Sequence, residues 1–170
     1  LVEVAALLSV VGMLLAVAIP TLARTLRASK VAEASEHLEL LSRAAAAYYA
    51  VPRLDPGRGV LHCLPEAAGP SPNVPSPSGV VVDFGATPGA ATWKALGFAP
   101  PGPIRYRYSF VPAAGGCWAT AEVRDALVTL RAEGDLDGDG TYSNFERRGT
   151  AGNQGKLTPD PVLHIDDRIE

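Results

Sequence analysis

The stretch "DLDGDGTYSNFE" places oxygen donors at Asp135, Asp137 and Asp139, a glycine at Gly140, and then Thr141, Ser143 and Glu146. That spacing matches a calcium loop, D-x-D-x-D-G-x5-E. The three carboxylates and the Thr141 carbonyl would be ligands, Ser143 would take the position often bridged by water, and Glu146 would be the twelfth, bidentate ligand. Three like charges within five residues repel unless a hard cation draws them together, and the glycine lets the backbone reverse so that the oxygens converge. Calcium, in a structural role, is therefore the expected cofactor. The flanks weaken the match, because an EF-hand needs a helix on each side and "ALVTLRAEG" before the loop reads as a strand. An acidic hairpin turn is the alternative, since Asp-Gly pairs suit tight turns.

The other chemistry-bearing residues are sparse. Cys63 and Cys117 are the two cysteines, and neither belongs to a CxxC pair, so zinc and thioredoxin-like chemistry lack their usual spacing. A disulfide between them is the simpler reading, with two buried free thiols as the alternative. Closing a loop between residues 54 positions apart would stabilise the fold by about 4 kcal/mol on the chain-entropy model and would place the domain outside the cytosol. His37, His62 and His164 are scattered, with none at the i, i+4 spacing of a helical metal pair. No G-x-S-x-G and no glycine-rich phosphate loop is present, and the adjacent His62 and Cys63 point to opposite sides of any extended chain. No enzymatic activity is expected. The net charge of -3 offers no basic field for polyanions, so direct nucleic-acid binding is not expected either.

The elements that must carry these residues divide the chain in three: an N-terminal transmembrane and polymerisation helix over 1–51, a Pro/Ser/Gly-rich connecting loop over 52–79, and a β-sheet head over 80–170. "LVEVAALLSVVGMLLAVAIP" is apolar or small throughout except for Glu3, and Leu1 to Ile19 is long enough to span a hydrocarbon layer. Pro20 should bend the helix without ending it. Beyond it Ala34, Leu38, Leu41, Ala45 and Tyr48 recur at steps of four and three, the mark of an amphipathic helix, and Pro52 stops the run. The tract from Gly69 to Gly79 suits neither helix nor central strand, and no glycosylation sequon is present, Asn73 being followed by Val-Pro. "IRYRYSFV" alternates Ile104, Tyr106, Tyr108 and Phe110 against Arg105, Arg107 and Ser109, as a half-buried antiparallel strand does. "CWATAEV" and "ALVTLRAE" alternate more weakly. The expected fold class is α+β, a long kinked N-terminal helix packed by its C-terminal half on a small antiparallel sheet of three or four strands.

The apolar segment with Glu3 near its start, Gly12, and Ala-Ile-Pro ending at Pro20 resembles the N-terminal methylation segment of type IV pilins and type II secretion pseudopilins, and "RASKVAEASEHL" continues that pattern. "WKALGFAPPGPIRYRYSF" with the acidic loop resembles the heads of myxobacterial-type pilins over about forty residues. The resemblance implies a pilin fold and a structural pilus subunit that is a homopolymer through its N-terminal helices. It also implies prepilin peptidase, pilus assembly machinery, the inner membrane before assembly and an extracellular filament afterwards, with two residues and a leader preceding Leu1. Glu3 would pair with the N-terminal amine of a neighbouring copy, an arrangement that sets register because slippage strands two ions in an apolar bundle. Gly12 and Pro20 would mark a stretch that melts cheaply on assembly. The readings that compete are a type II secretion pseudopilin and a membrane-anchored monomeric calcium-binding module. Arg24, Arg27 and Lys30 after the span favour a cytoplasmic location for that side on charge alone, an inference that a basic leader would reverse.

Overall fold

The computed structural model describes residues 2–113, 115–119, 126–152 and 155–166, excepting the side chains of 2–10, 20, 21, 23–29, 119 and 126. Helix α1 (Val2–Ala50) opens the chain, followed by β1 (Arg53–Asp55), β2 (Gly59–Leu64), β3 (Ala68–Ser71), α2 (Ala90–Leu96), β4 (Arg107–Pro112), β5 (Gly116–Ala119), β6 (Ala126–Gly134), β7 (Ser143–Ala151) and β8 (Leu157–Asp166). The strands form two antiparallel sheets, ordered β1-β2-β5 and β3-β4-β6-β7-β8.

This corrects the expected fold class. In place of one small sheet of three or four strands preceded by a loop, eight strands among the described residues form two sheets, three of the strands within the expected connecting region 52–79. Each of those three is short and bounded by proline or glycine, so none presents enough alternation to register as a strand in sequence. Pro70 is tolerated because β3 is an edge strand, where a missing N–H costs no ladder bond on the open side. The smaller sheet is pinned by the Cys63–Cys117 disulfide, which joins directly opposed residues of β2 and β5. Helix α1 runs on through Gly12 and Pro20 without ending at either.

The core lies between α1 and the larger sheet. Val31, Ala34, Leu38, Leu41, Ala45 and Tyr49 of α1 are buried against Tyr106, Tyr108, Phe110, Val128, Leu130, Ala132 and Phe145. Tyr49 closes the buried stripe, since Val31 to Tyr49 is eighteen residues, five turns at 3.6 residues each, while Tyr48 beside it is only partly buried. The face predicted for "IRYRYSFV" is the buried one, with Ile104, Tyr106, Tyr108 and Phe110 all sealed. Phe84, Trp93 of α2, Phe98 and Tyr108 form an aromatic cluster whose Phe84–Trp93, Phe84–Phe98 and Phe98–Tyr108 contacts are edge-to-face and whose Trp93–Phe98 contact is tilted. Gly134, where β6 leaves for the acidic loop, has no room for a side chain because the Tyr106 ring occupies the space a Cβ would take.

Candidate functional site

Two features outside the core are candidates for function: the N-terminal half of α1 and the acidic hairpin tip. In the first, large apolar side chains emerge in every direction around the helix: Met13, Leu14, Val17 and Ile19 are exposed by 74%, 66%, 64% and 63%, and Val11, Leu15 and Leu22 are also exposed. A helix that is apolar all round belongs in a protein interior, a bilayer or a bundle of similar helices, because roughly 25 cal/mol per Å² of apolar surface is forfeited to water otherwise. Gly12 meets no neighbouring atom where a Cβ would stand, so nothing among the described residues requires glycine there. Glu3 and Pro20 belong to α1, but their side chains lie outside the described residues. Among the described residues no helix is long and apolar enough to cross a membrane. Of the segment read as a span, Leu1 to Ile19, residue 1 and the side chains of 2–10 lie outside them.

The other half of α1 is locked to the head by specific polar bonds. Glu33, largely buried, accepts from the Arg105 backbone N–H at 2.6 Å and from the Arg105 guanidinium at 2.9 Å. Glu39 meets Arg147 of β7 at 3.0 Å and Arg43 of its own helix at 2.9 Å. His37 Nδ1 lies 2.8 Å from the Tyr108 hydroxyl. Burial holds the His37 pKa below its ordinary 6.5, outweighing the opposing pull of Glu33 and Glu36. Burial, with the Glu33 charge and Tyr106 acting the same way, pushes the Tyr108 phenol far above its usual range, so it stays neutral and keeps its hydrogen. At the helix end the Tyr49 hydroxyl donates to the Gly152 carbonyl at 3.1 Å, and the Tyr49 carbonyl accepts from His62 Nδ1 at 2.9 Å. These anchors were not foreseen as a set; the signal available was the run of glutamates at 33, 36 and 39 beside an apolar stripe.

The acidic loop joins β6 to β7 as the tip of an antiparallel hairpin whose base is the Gly134–Ser143 pair. Asp135, Asp137 and Asp139 converge, with one carboxylate oxygen from each lying within 4.8 Å of the others. Among the described residues, they are the group able to hold a cation. In the present geometry they cap backbone amides: Asp135 accepts from Gly138 N at 2.7 Å and Gly140 N at 3.1 Å, Asp137 from Asp139 N at 3.3 Å, and Asp139 from Thr141 N at 2.6 Å. Gly138 and Gly140 take the positive φ values, 83° and 90°, that the reversal needs.

The remaining expected ligands part from this group. Thr141 is exposed at the tip. Ser143 is buried, its hydroxyl donating to the Gly134 carbonyl at 3.1 Å to close the hairpin base. Glu146 is buried within β7 directly opposite Arg131, and its two oxygens accept from Arg131 Nε at 2.9 Å and Arg148 Nε at 2.6 Å. Burial works to raise the Glu146 pKa, but the hydrogen bonds and charges of Arg131 and Arg148 together overcome it and leave the carboxylate below its usual range. The twelfth position of the calcium pattern therefore serves two arginines, Arg131 across the hairpin and Arg148 two residues along its own strand. Comparisons of the chain with protein-family models, curated proteins and solved structures find no match.

Proposed function

We propose that this chain is a structural subunit of an extracellular type IV pilus-like filament, polymerising through the N-terminal half of α1 and displaying the two-sheet head on the fibre surface. The observation that carries the reading is the all-round exposure of apolar side chains from Val11 to Leu22, on a helix whose following turns are bolted to a disulfide-bearing head. Such a surface is satisfied first by lipid and then by copies of itself, with Ala5, Ala6, Gly12, Ala16 and Ala18 allowing close approach. In this reading the subunit waits in the inner membrane, is processed by a prepilin peptidase and is extracted by a pilus assembly machine, and Glu3 pairs with the terminal amine of a neighbour to set the stagger. The work is mechanical, not catalytic.

Calcium belongs to the reading as a brace for the hairpin tip, held by Asp135, Asp137 and Asp139 without Glu146. The polymerisation claim is tested by Leu14→Glu in cells that produce the protein. The variant should accumulate with its disulfide intact and yield no sheared fibre. Fibres at wild-type abundance would contradict the reading.

A further inference from the structure

Along α1 the head has two dissimilar ends. At the lower end, where the helix meets the head near Glu33, lie Arg105, the Val80–Ile104 bridge and the start of β4. Arg107 ties the acidic loop to the Pro/Ser-rich segment at this level: its guanidinium lies 4.7 Å from the centre of the Tyr142 ring and donates to the Asn73 carbonyl at 3.2 Å. At the upper end, where the helix finishes near Tyr49, lie His62, Gly152 and the β1–β2 hairpin, with Arg53 4.8 Å from the centre of the Tyr48 ring.

Each end carries exposed apolar side chains beside charges of one sign. At the lower end Val74, Val80 and Val81 are exposed, the last by 76%. Near them stand Asp135, Asp137 and Asp139, none of which has a salt bridge among the described residues. Arg105 and Arg107 at this end are already matched by Glu33 and Glu133. A divalent calcium ion on the three aspartates would leave the tip with one net negative charge, so the sign is the same with or without it. At the upper end Val51, Leu54 and Val60 are exposed, Leu54 by 86%, and Leu54 and Val60 are directly opposed. Beside them are the exposed Arg53, Arg58 and Lys156, the last placed here because its carbonyl accepts from Gly152 N. The carboxylate of this hairpin, Asp55, accepts from the Gly57 and Arg58 amides. Single exposed apolar residues need no explanation, but two clusters at opposite ends, set in opposite charge, complement each other.

Resting on the filament reading above, we infer that the basic upper end of the head around Leu54 is a docking surface for a second copy of this chain, which seats its acidic lower end around Val81 upon it. The contact joins two different patches, so it repeats head to tail and is not used up in a dimer. The second copy is raised by at least the buried length of α1, Val31 to Tyr49, about 27 Å, so that its head clears the first. Its own α1 then descends past Ala32, Leu40 and Ala47, on the back of the first copy's helix that the head leaves exposed. The acidic sign of the lower end disfavours an anionic lipid surface as the alternative occupant.

Wild-type fibres are purified first, because their absence would sink the filament reading itself before any variant is made. L54C/V81C fibres treated with a short bismaleimide should give a ladder of covalent multimers under denaturing conditions. Each single cysteine variant should give none, and neither should L54C/H164C, whose second thiol stands on exposed β8. Separately, L54E and V81K should each lower fibre yield about tenfold by opposing like charges, and L54E/V81K together should restore it. Fibres in which L54C/V81C fails to cross-link, cross-links no better than L54C/H164C, or joins Leu54→Cys to a different protein overturn the inference. Single reversals at wild-type yield, or a double reversal that fails to rescue, overturn it as well.

Discussion

Replacing Glu146 by glutamine separates the two roles this residue has been given. The substitution keeps shape and volume, and removes the charge that faces Arg131 and Arg148 across β6 and β7. Each charge-assisted bond is worth roughly 1.5–3 kcal/mol when sheltered. Here the carboxylate is only 9% exposed, but the arginine side chains are 49% and 47% exposed, so solvent screening reduces the joint loss to about 1–2 kcal/mol. For a head of this size that is a fall of about 3–6 °C in melting temperature. The depressed pKa gives the sign with pH: the contribution is present above the ordinary carboxylate value of 4.5 and is lost as pH falls through the lowered one, so wild type and Glu146→Gln converge in acid. The assay is thermal unfolding of the purified protein between pH 3 and 8, with calcium and with chelator. Any stabilisation by calcium should be equal in the two proteins, whereas Asp137→Ala should abolish it. A calcium response that disappears in Glu146→Gln would refute the arginine-pair account and restore Glu146 as a ligand.

Three further outcomes are expected from the anchors between helix and head. Glu33→Gln removes the charge that accepts from both the Arg105 amide and its guanidinium, and should cost about 1–3 kcal/mol in denaturant unfolding; an unchanged midpoint would show that the pair contributes nothing. His37 has a folded-state pKa below 6.5, so stability should be full above pH 6.5 and decline as pH falls through that value. His37→Gln should flatten that decline, seen as a smaller difference in melting temperature between pH 7.5 and 5.5. Cys63→Ser/Cys117→Ser should destabilise the head by up to about 4 kcal/mol, read from the shift in urea midpoint.

The parts of the fold that could be read in advance are those written in local periodicity. Tyr106, Tyr108 and Phe110 declared their buried face by strict alternation, and Ala34, Leu38, Leu41 and Ala45 declared theirs by helical spacing. Strands β2 and β3 are held by partners distant in sequence, Cys63 opposite Cys117 and Ala68 opposite Phe110, and β1 is a short hairpin arm on β2. Their three to six residues carry no periodic signal of their own. The acidic loop was readable as a convergence of Asp135, Asp137 and Asp139, but motif spacing cannot see that Glu146 lies opposite Arg131. That fact follows from the register of a hairpin, and Thr141 and Ser143 are assigned to tip and base by the same register.

The central claim is that the apolar half of α1 is a contact between copies. Electron cryo-microscopy of sheared surface fibres, with mass spectrometry to identify the chain, tests it most directly. The account predicts that this chain is the main component, with residues 2–22 of α1 gathered along the fibre axis and the heads outside. Fibres built from another protein, or these helices found singly in lipid, would contradict it.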